Sequence, residues 1–234
     1  MRHLRLISIF RIAFVLGMVS PTALAQNAIP GALFHLDAIT QIRRDRTWEN
    51  LGALGGVLAP NEATPELKAG TIRIPEIGFR RRTQWYKIEG RHQGFFSDSD
   101  VTPNLMLKDW TIEFLTMRNG PKWANLIVAS QFAGFRWGND QGLRILLHGG
   151  DSGKLNVWIK GEKEKGKWFA ADAVGIDLGK KEWHWLAFVF TNRKHLEVYQ
   201  NGTKVSTLET NQDFNPELPM SMTLFSAWNR DHTF

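Results

Sequence analysis

The sequence of 234 residues contains no cysteine. That absence removes thiolate nucleophiles, cysteine metal sites and a disulfide framework together. Charge of one sign is scarce as well: 29 Lys and Arg against 23 Asp and Glu leave a formal +6. Arg2, Arg5 and Arg11 supply half of that excess from an N-terminal leader that holds no acid. Without them the chain is near neutral, so nucleic acid is excluded as the expected partner. No stretch reaches the ~20 apolar residues that cross a bilayer, so the chain is not read as membrane-spanning. Sustained 3.6-residue periodicity is missing after the leader, which excludes a helical bundle. Disorder is excluded by what is present: 43% hydrophobic residues and ten tryptophans.

Residues 1–25 read as a secretory signal peptide. A positive start is followed by the apolar run Ile12 to Val19 and by Ala23-Leu24-Ala25, a small-x-small cleavage site before Gln26. The expectation is a secreted or periplasmic protein that begins at Gln26. An exported chain without cysteine suits a bacterial exterior, where disulfides are optional.

Residues 26–234 read as one domain of β-strands. Trp110, Ile112 and Phe114 alternate with Thr111 and Glu113, and Leu143, Ile145 and Leu147 repeat the pattern. Leu155, Val157 and Ile159 do the same against Asn156 and Lys160. Side chains alternate across a strand, so each set covers one core. His184 to Phe190 is almost wholly apolar, as in a central strand covered on both faces. Asn201-Gly202, between alternating runs, signals a hairpin whose two turn residues tolerate positive φ. Met220 to Ala227 reads as a further strand, and Pro60 to Gly70 as a surface loop. Short strands with frequent turns predict an all-β, two-sheet antiparallel β-sandwich whose interior includes Trp110, Ile112, Phe114, Leu196 and Val198.

Three segments carry a family resemblance. Lys108-Asp109-Trp110-Thr111-Ile112-Glu113-Phe114 resembles a strand of laminin G-like domains. Glu182-Trp183-His184-Trp185-Leu186-Ala187-Phe188-Val189-Phe190 resembles their Trp-His strand, and His195 to Val205 the hairpin that follows it. Leu36-Asp37-Ala38 and Thr47-Trp48-Glu49-Asn50-Leu51-Gly52 are similar to the entry segment of bacterial laminin G-like proteins. The resemblance spans residues 32–228 and implies a concanavalin A-like jelly roll. Gln200-Asn201-Gly202 replaces the usual Val-Asp-Gly, which keeps the turn but removes a carboxylate. The family's closing strand is expected after Phe234, so the sequence reads as lacking that strand.

No catalytic residue is assigned. Glucanases of this fold need two carboxylates on one strand face, a retaining pair lying about 5–5.5 Å apart. No strand-like segment has that pattern. Glu162 and Glu164 have the spacing but sit among Lys and Gly in a solvated turn, and Glu113 stands alone. Neither G-x-S-x-G nor H-E-x-x-H occurs. His184, between two tryptophans of an apolar strand, reads as a hydrogen-bonded core histidine rather than a metal ligand. Asp98 and Asp100 offer two hard oxygens in a loop, so calcium is the one cofactor weighed, against simple turn roles.

Binding chemistry is better represented. Phe135 to Gln141 brings Trp137, Asn139 and Asp140 together, and Trp228 with Asn229 forms a second cluster. Indoles stack on sugar faces while amides and carboxylates hold hydroxyls. Arg80-Arg81-Arg82 reads as a solvated surface run. The expected function is non-catalytic recognition of a glycan or an extracellular protein through sheet-end loops. The alternative is a glycoside hydrolase of the same fold with an unrecognised carboxylate pair.

Overall fold

The structure is a computed structural model, and it describes residues 47–50, 57–60, 66–87, 94–96, 109–118, 124–130, 142–147, 154–160, 167–169, 174–179, 181–210 and 221–224. Its strands are β1 (Trp48–Glu49), β2 (Val57–Pro60), β3 (Glu66–Ile74), β4 (Phe79–Lys87), β5 (Phe95–Phe96), β6 (Trp110–Met117) and β7 (Ala124–Ser130). They continue with β8 (Gly142–Leu147), β9 (Leu155–Lys160), β10 (Lys167–Phe169), β11 (Trp183–Thr191), β12 (His195–Gln200), β13 (Thr203–Glu209) and β14 (Ser221–Leu224). One sheet runs β1-β2-β5-β14-β7-β8-β9-β10, a second runs β13-β12-β11-β6, and β3 and β4 form a two-stranded ribbon. The pairings are antiparallel throughout, and the fold is the all-β sandwich the alternation predicts.

The four-stranded sheet explains why. β11 pairs with β6 so that Phe190 faces Trp110, Phe188 faces Ile112 and Leu186 faces Phe114. Directly opposed residues share a face, so the period-two pattern becomes one continuous apolar surface. Trp110 stacks on Phe190 at 5.1 Å and Phe114 on Phe188 at 5.8 Å. Leu196 and Val198 of β12 complete the surface, and all five residues expected inside are buried. In the larger sheet Leu143, Ile145, Leu155, Val157 and Ile159 are fully buried. The opposite face of β8 and β9 is covered too, since Arg144, Asn156 and Trp158 are also buried. Alternation alone leaves Asn156 outside, because it identifies one apolar face and cannot report that both are covered.

The hairpin turns carry the expected chemistry. Asn201 and Gly202 sit at φ 50° and 79°, and Asn192 and Arg193 at 53° and 56°. Positive φ at both central residues gives the twist that matches the strands. Asn201 is anchored further: its Oδ1 accepts from the Trp185 N–H at 2.9 Å, and its own N–H donates to the Trp185 carbonyl at 2.8 Å. The Asp109 carboxylate likewise accepts from the Asn192 N–H at 2.7 Å.

Between β10 and β11, Val174, Ile176 and Leu178 are buried. Asp177 bridges to Lys154 beside β9, and its carbonyl accepts from Gln200 Nε2 of β12 at 2.9 Å. This segment therefore ties the two sheets together at one end.

The ribbon corrects one expectation. Pro60 to Gly70 reads as a loop, yet Glu66 to Gly70 is the first half of β3 and pairs in unbroken register with β4. The signal is weak because Gly70 stands where an apolar side chain would mark the inner face. Trp85 fills that place. A Cβ on Gly70 would lie 2.8 Å from Cη2 of Trp85. The same indole packs edge-on against Trp183 of β11 at 5.2 Å, which docks the ribbon on the four-stranded sheet. Alanine normally outperforms glycine in a strand by ~0.5–1 kcal/mol. Gly70→Ala should invert that order and cost about 1–3 kcal/mol by overpacking, measured by urea denaturation. A more stable variant would contradict the Trp85 seat.

Candidate functional site

The residues singled out for binding lie outside the described residues: Trp137, Asn139, Asp140, Trp228, Asn229, Asp98 and Asp100. The strands that flank them are described, and their pairing fixes where the chain leaves the sheet. Trp137, Asn139 and Asp140 fall between Ser130 and Gly142, which are paired at the end of the β7–β8 hairpin. β14 enters at that same end, because Ser221 pairs with Ser130. β5 runs antiparallel to β14, with Phe96 opposite Thr223, so the chain carrying Asp98 and Asp100 departs toward that end as well. The chain carrying Trp228 and Asn229 departs after Leu224, at the opposite end. The topology thus brings the anchors of two clusters to one sheet end and separates the third.

The outer face of the four-stranded sheet holds polar chemistry. Residues at odd positions of β11 and β12 point away from the stacked core, and Glu197 and Tyr199 are among them. Glu197 accepts from the Tyr199 hydroxyl at 2.7 Å and from Lys204 Nζ at 3.0 Å. The hydrogen bond from Tyr199 and then that from Lys204 hold its carboxyl below the ordinary range. The partners move oppositely: hydrogen bonding to Glu197 raises both Tyr199 and Lys204. Directly across the β12–β13 pair, Glu209 meets His195 Nδ1 at 3.2 Å. A carboxylate kept ionised in this way accepts hydrogen bonds well but is a poor proton donor. Among the described strands none carries two acids at alternate positions.

At the end of β11 the inner face turns polar. His184 is 5% exposed, and its Nδ1 lies 3.1 Å from Gln200 Nε2, the amide that also donates to the Asp177 carbonyl. An amide N–H can only donate, so Nδ1 accepts and the proton sits on Nε2. That nitrogen is buried and finds no partner among the described residues. Burial lowers the His184 pKa, opposed by Glu182, Glu76 and Asp177. The histidine is thus the hydrogen-bonded core residue its setting predicts. Among the described residues no group of three His, Cys, Asp or Glu could hold a metal. No described helix is long and apolar enough to cross a membrane. In the larger sheet, burial lowers the Arg144 guanidinium to about 10.

Sequence reasoning missed the Glu197–Tyr199–Lys204 group, although its signal was present. Acid and phenol sit at alternate strand positions, and the Asn201-Gly202 turn returns Lys204 beside them.

Two antiparallel sheets with a stacked aromatic interior define an all-β sandwich. The sequence profile described as the concanavalin A-like lectin/glucanases superfamily, a laminin G family, matches residues 96–231, and the chain belongs to that family. No curated protein matches the sequence. Solved structures similar to it include a SAP-like pentraxin from Limulus polyphemus, at 13% identity and TM-score 0.37 over 51% of this chain and 58% of that one. The botulinum neurotoxin serotype G binding domain is similar at 11% identity and TM-score 0.43, over 78% of this chain and 44% of that one. A native glycosidic hydrolase is similar at 15% and 0.33, over 60% and 64%. The chain spans less than two thirds of the length of each of these structures.

The state of His184 gives a pH dependence. Its folded pKa lies below the ordinary 6.5. Between those two values the unfolded chain takes up a proton that the folded chain refuses, so stability falls as pH falls below about 6.5. Urea denaturation at pH 7.5 and pH 5.5 should show this loss, and His184→Gln should reduce it. An unchanged pH slope in the variant would contradict the buried neutral ring.

Proposed function

We propose that this chain is a non-catalytic carbohydrate-recognition module of an exported protein, delivered after cleavage behind Ala25. Membership of the lectin/glucanase family supports a sugar ligand without distinguishing binding from hydrolysis. The observation that carries the choice is Glu197. Its carboxylate is held by the Tyr199 hydroxyl at 2.7 Å and by Lys204 Nζ at 3.0 Å, and its strand carries no second acid to pair with it. Held by Tyr199 and Lys204, it is placed to accept hydrogen bonds rather than to protonate a leaving oxygen.

The binding surface in this proposal is the sheet end where β7 passes to β8, because loops there vary without disturbing the packed interior. Trp137 supplies the stacking face, and Asn139 and Asp140 the hydroxyl contacts. Asp98 and Asp100, leaving toward the same end, provide the oxygens for a calcium ion if one takes part.

A glycan array probed with the protein, with and without calcium, tests the reading. Trp137→Ala should weaken binding of the best glycan about ten- to a hundredfold, on the ~1–3 kcal/mol scale of aromatic stacking. The melting temperature should stay almost unchanged. Loss of several degrees instead would make Trp137 a core residue and move the site elsewhere.

A further inference from the structure

The ribbon β3–β4 precedes residues 96–231, which match the family. Its register divides the run Arg80-Arg81-Arg82 between two faces. Arg81 lies opposite Ile72, on the face that also holds Ile74, Thr83 and Trp85 and packs toward β11. Arg80 lies opposite Arg73, and Arg82 opposite Thr71, on the other face. Arg73, Arg80 and Arg82 are all exposed. Like charges directly opposed across strands destabilise a ribbon. Among the described residues no carboxylate neutralises them, and the ion pair between Glu66 and Lys68 lies on the inner face. Three guanidinium groups are therefore presented side by side, at a cost to the ribbon and with no packing return.

We propose that this face binds a linear acidic polysaccharide, with the three arginines engaging carboxylates on neighbouring sugars. The proposal rests on the recognition reading and names its ligand class. Guanidinium groups take carboxylates bidentately, and cross-strand neighbours ~5 Å apart with same-strand neighbours ~7 Å apart form a compact cationic patch. Nucleic acid fits less well. After the leader the chain is near neutral, which leaves little attraction for a phosphate backbone.

The test measures binding of the purified protein to alginate, a polyuronate, in low and physiological salt. Neutral dextran and single-stranded DNA serve as comparisons. Alginate should bind, and weaken as salt rises. The triple variant Arg73→Gln, Arg80→Gln, Arg82→Gln should lose at least tenfold in affinity while its melting temperature holds or rises. A second triple variant, Lys181→Gln, Arg193→Gln, Lys194→Gln, removes the same charge from exposed positions elsewhere and should stay within about twofold of the parent. Equal losses in the two variants would reduce the effect to net charge and overturn the ribbon site. So would unchanged alginate binding in the arginine variant. DNA held as tightly as alginate, and lost in the same variant, would overturn the glycan assignment. Neutral glycans bound on the array without any alginate binding would refute the ribbon site alone. Failure to bind any glycan, neutral or acidic, would refute the recognition reading beneath it.

Discussion

The stack of Trp110 on Phe190, continued by Phe114 on Phe188, is the contact on which the remaining geometry depends. Aromatic pairs of this kind add about 0.5–1.5 kcal/mol beyond the area they bury. Their larger consequence is register. Once these rings meet, β6 and β11 cannot slip by one residue without turning every core side chain to solvent. The same constraint places Glu197 and Tyr199 outward, and it leaves His184 at the inner edge beside Gln200. The polar groups hold their positions because the apolar ones have no alternative.

Two attachments extend this frame. The segment carrying Val174, Ile176 and Leu178 closes one end, with Asp177 bridging toward β9 and receiving Gln200 from β12. The ribbon is seated through Trp85, which covers Gly70 and meets Trp183, with Ile72 and Ile74 buried on the same face. One attachment serves the core directly. The other leaves a basic outer face that the core does not need, and that contrast gives the arginines their interest.

Much of the fold was legible in the sequence for a definite reason: inner-face residues repeat every second position, and the turns demand Asn and Gly. Trp110, Ile112, Phe114, Leu196 and Val198 could be assigned to the interior on that basis. The ribbon was not legible, because Gly70 erases the apolar mark and its partner Trp85 lies far along the chain. Burial of Asn156 and Arg144 was hidden too, since alternation cannot show what covers the second face. The candidate site divides in the same way. Glu197, Tyr199 and Lys204 are joined by a register that the Asn201-Gly202 turn announces, while Trp137, Asn139 and Asp140 belong to a connection that only its paired ends locate.

The central claim is recognition without cleavage, and an assay of reducing ends tests it most directly. Incubating the protein with the polysaccharide it binds most tightly should give saturable binding and no new reducing ends above a buffer control. Steady release of reducing ends, abolished by Glu197→Gln with the protein still folded, would contradict the account and make the chain a glycoside hydrolase.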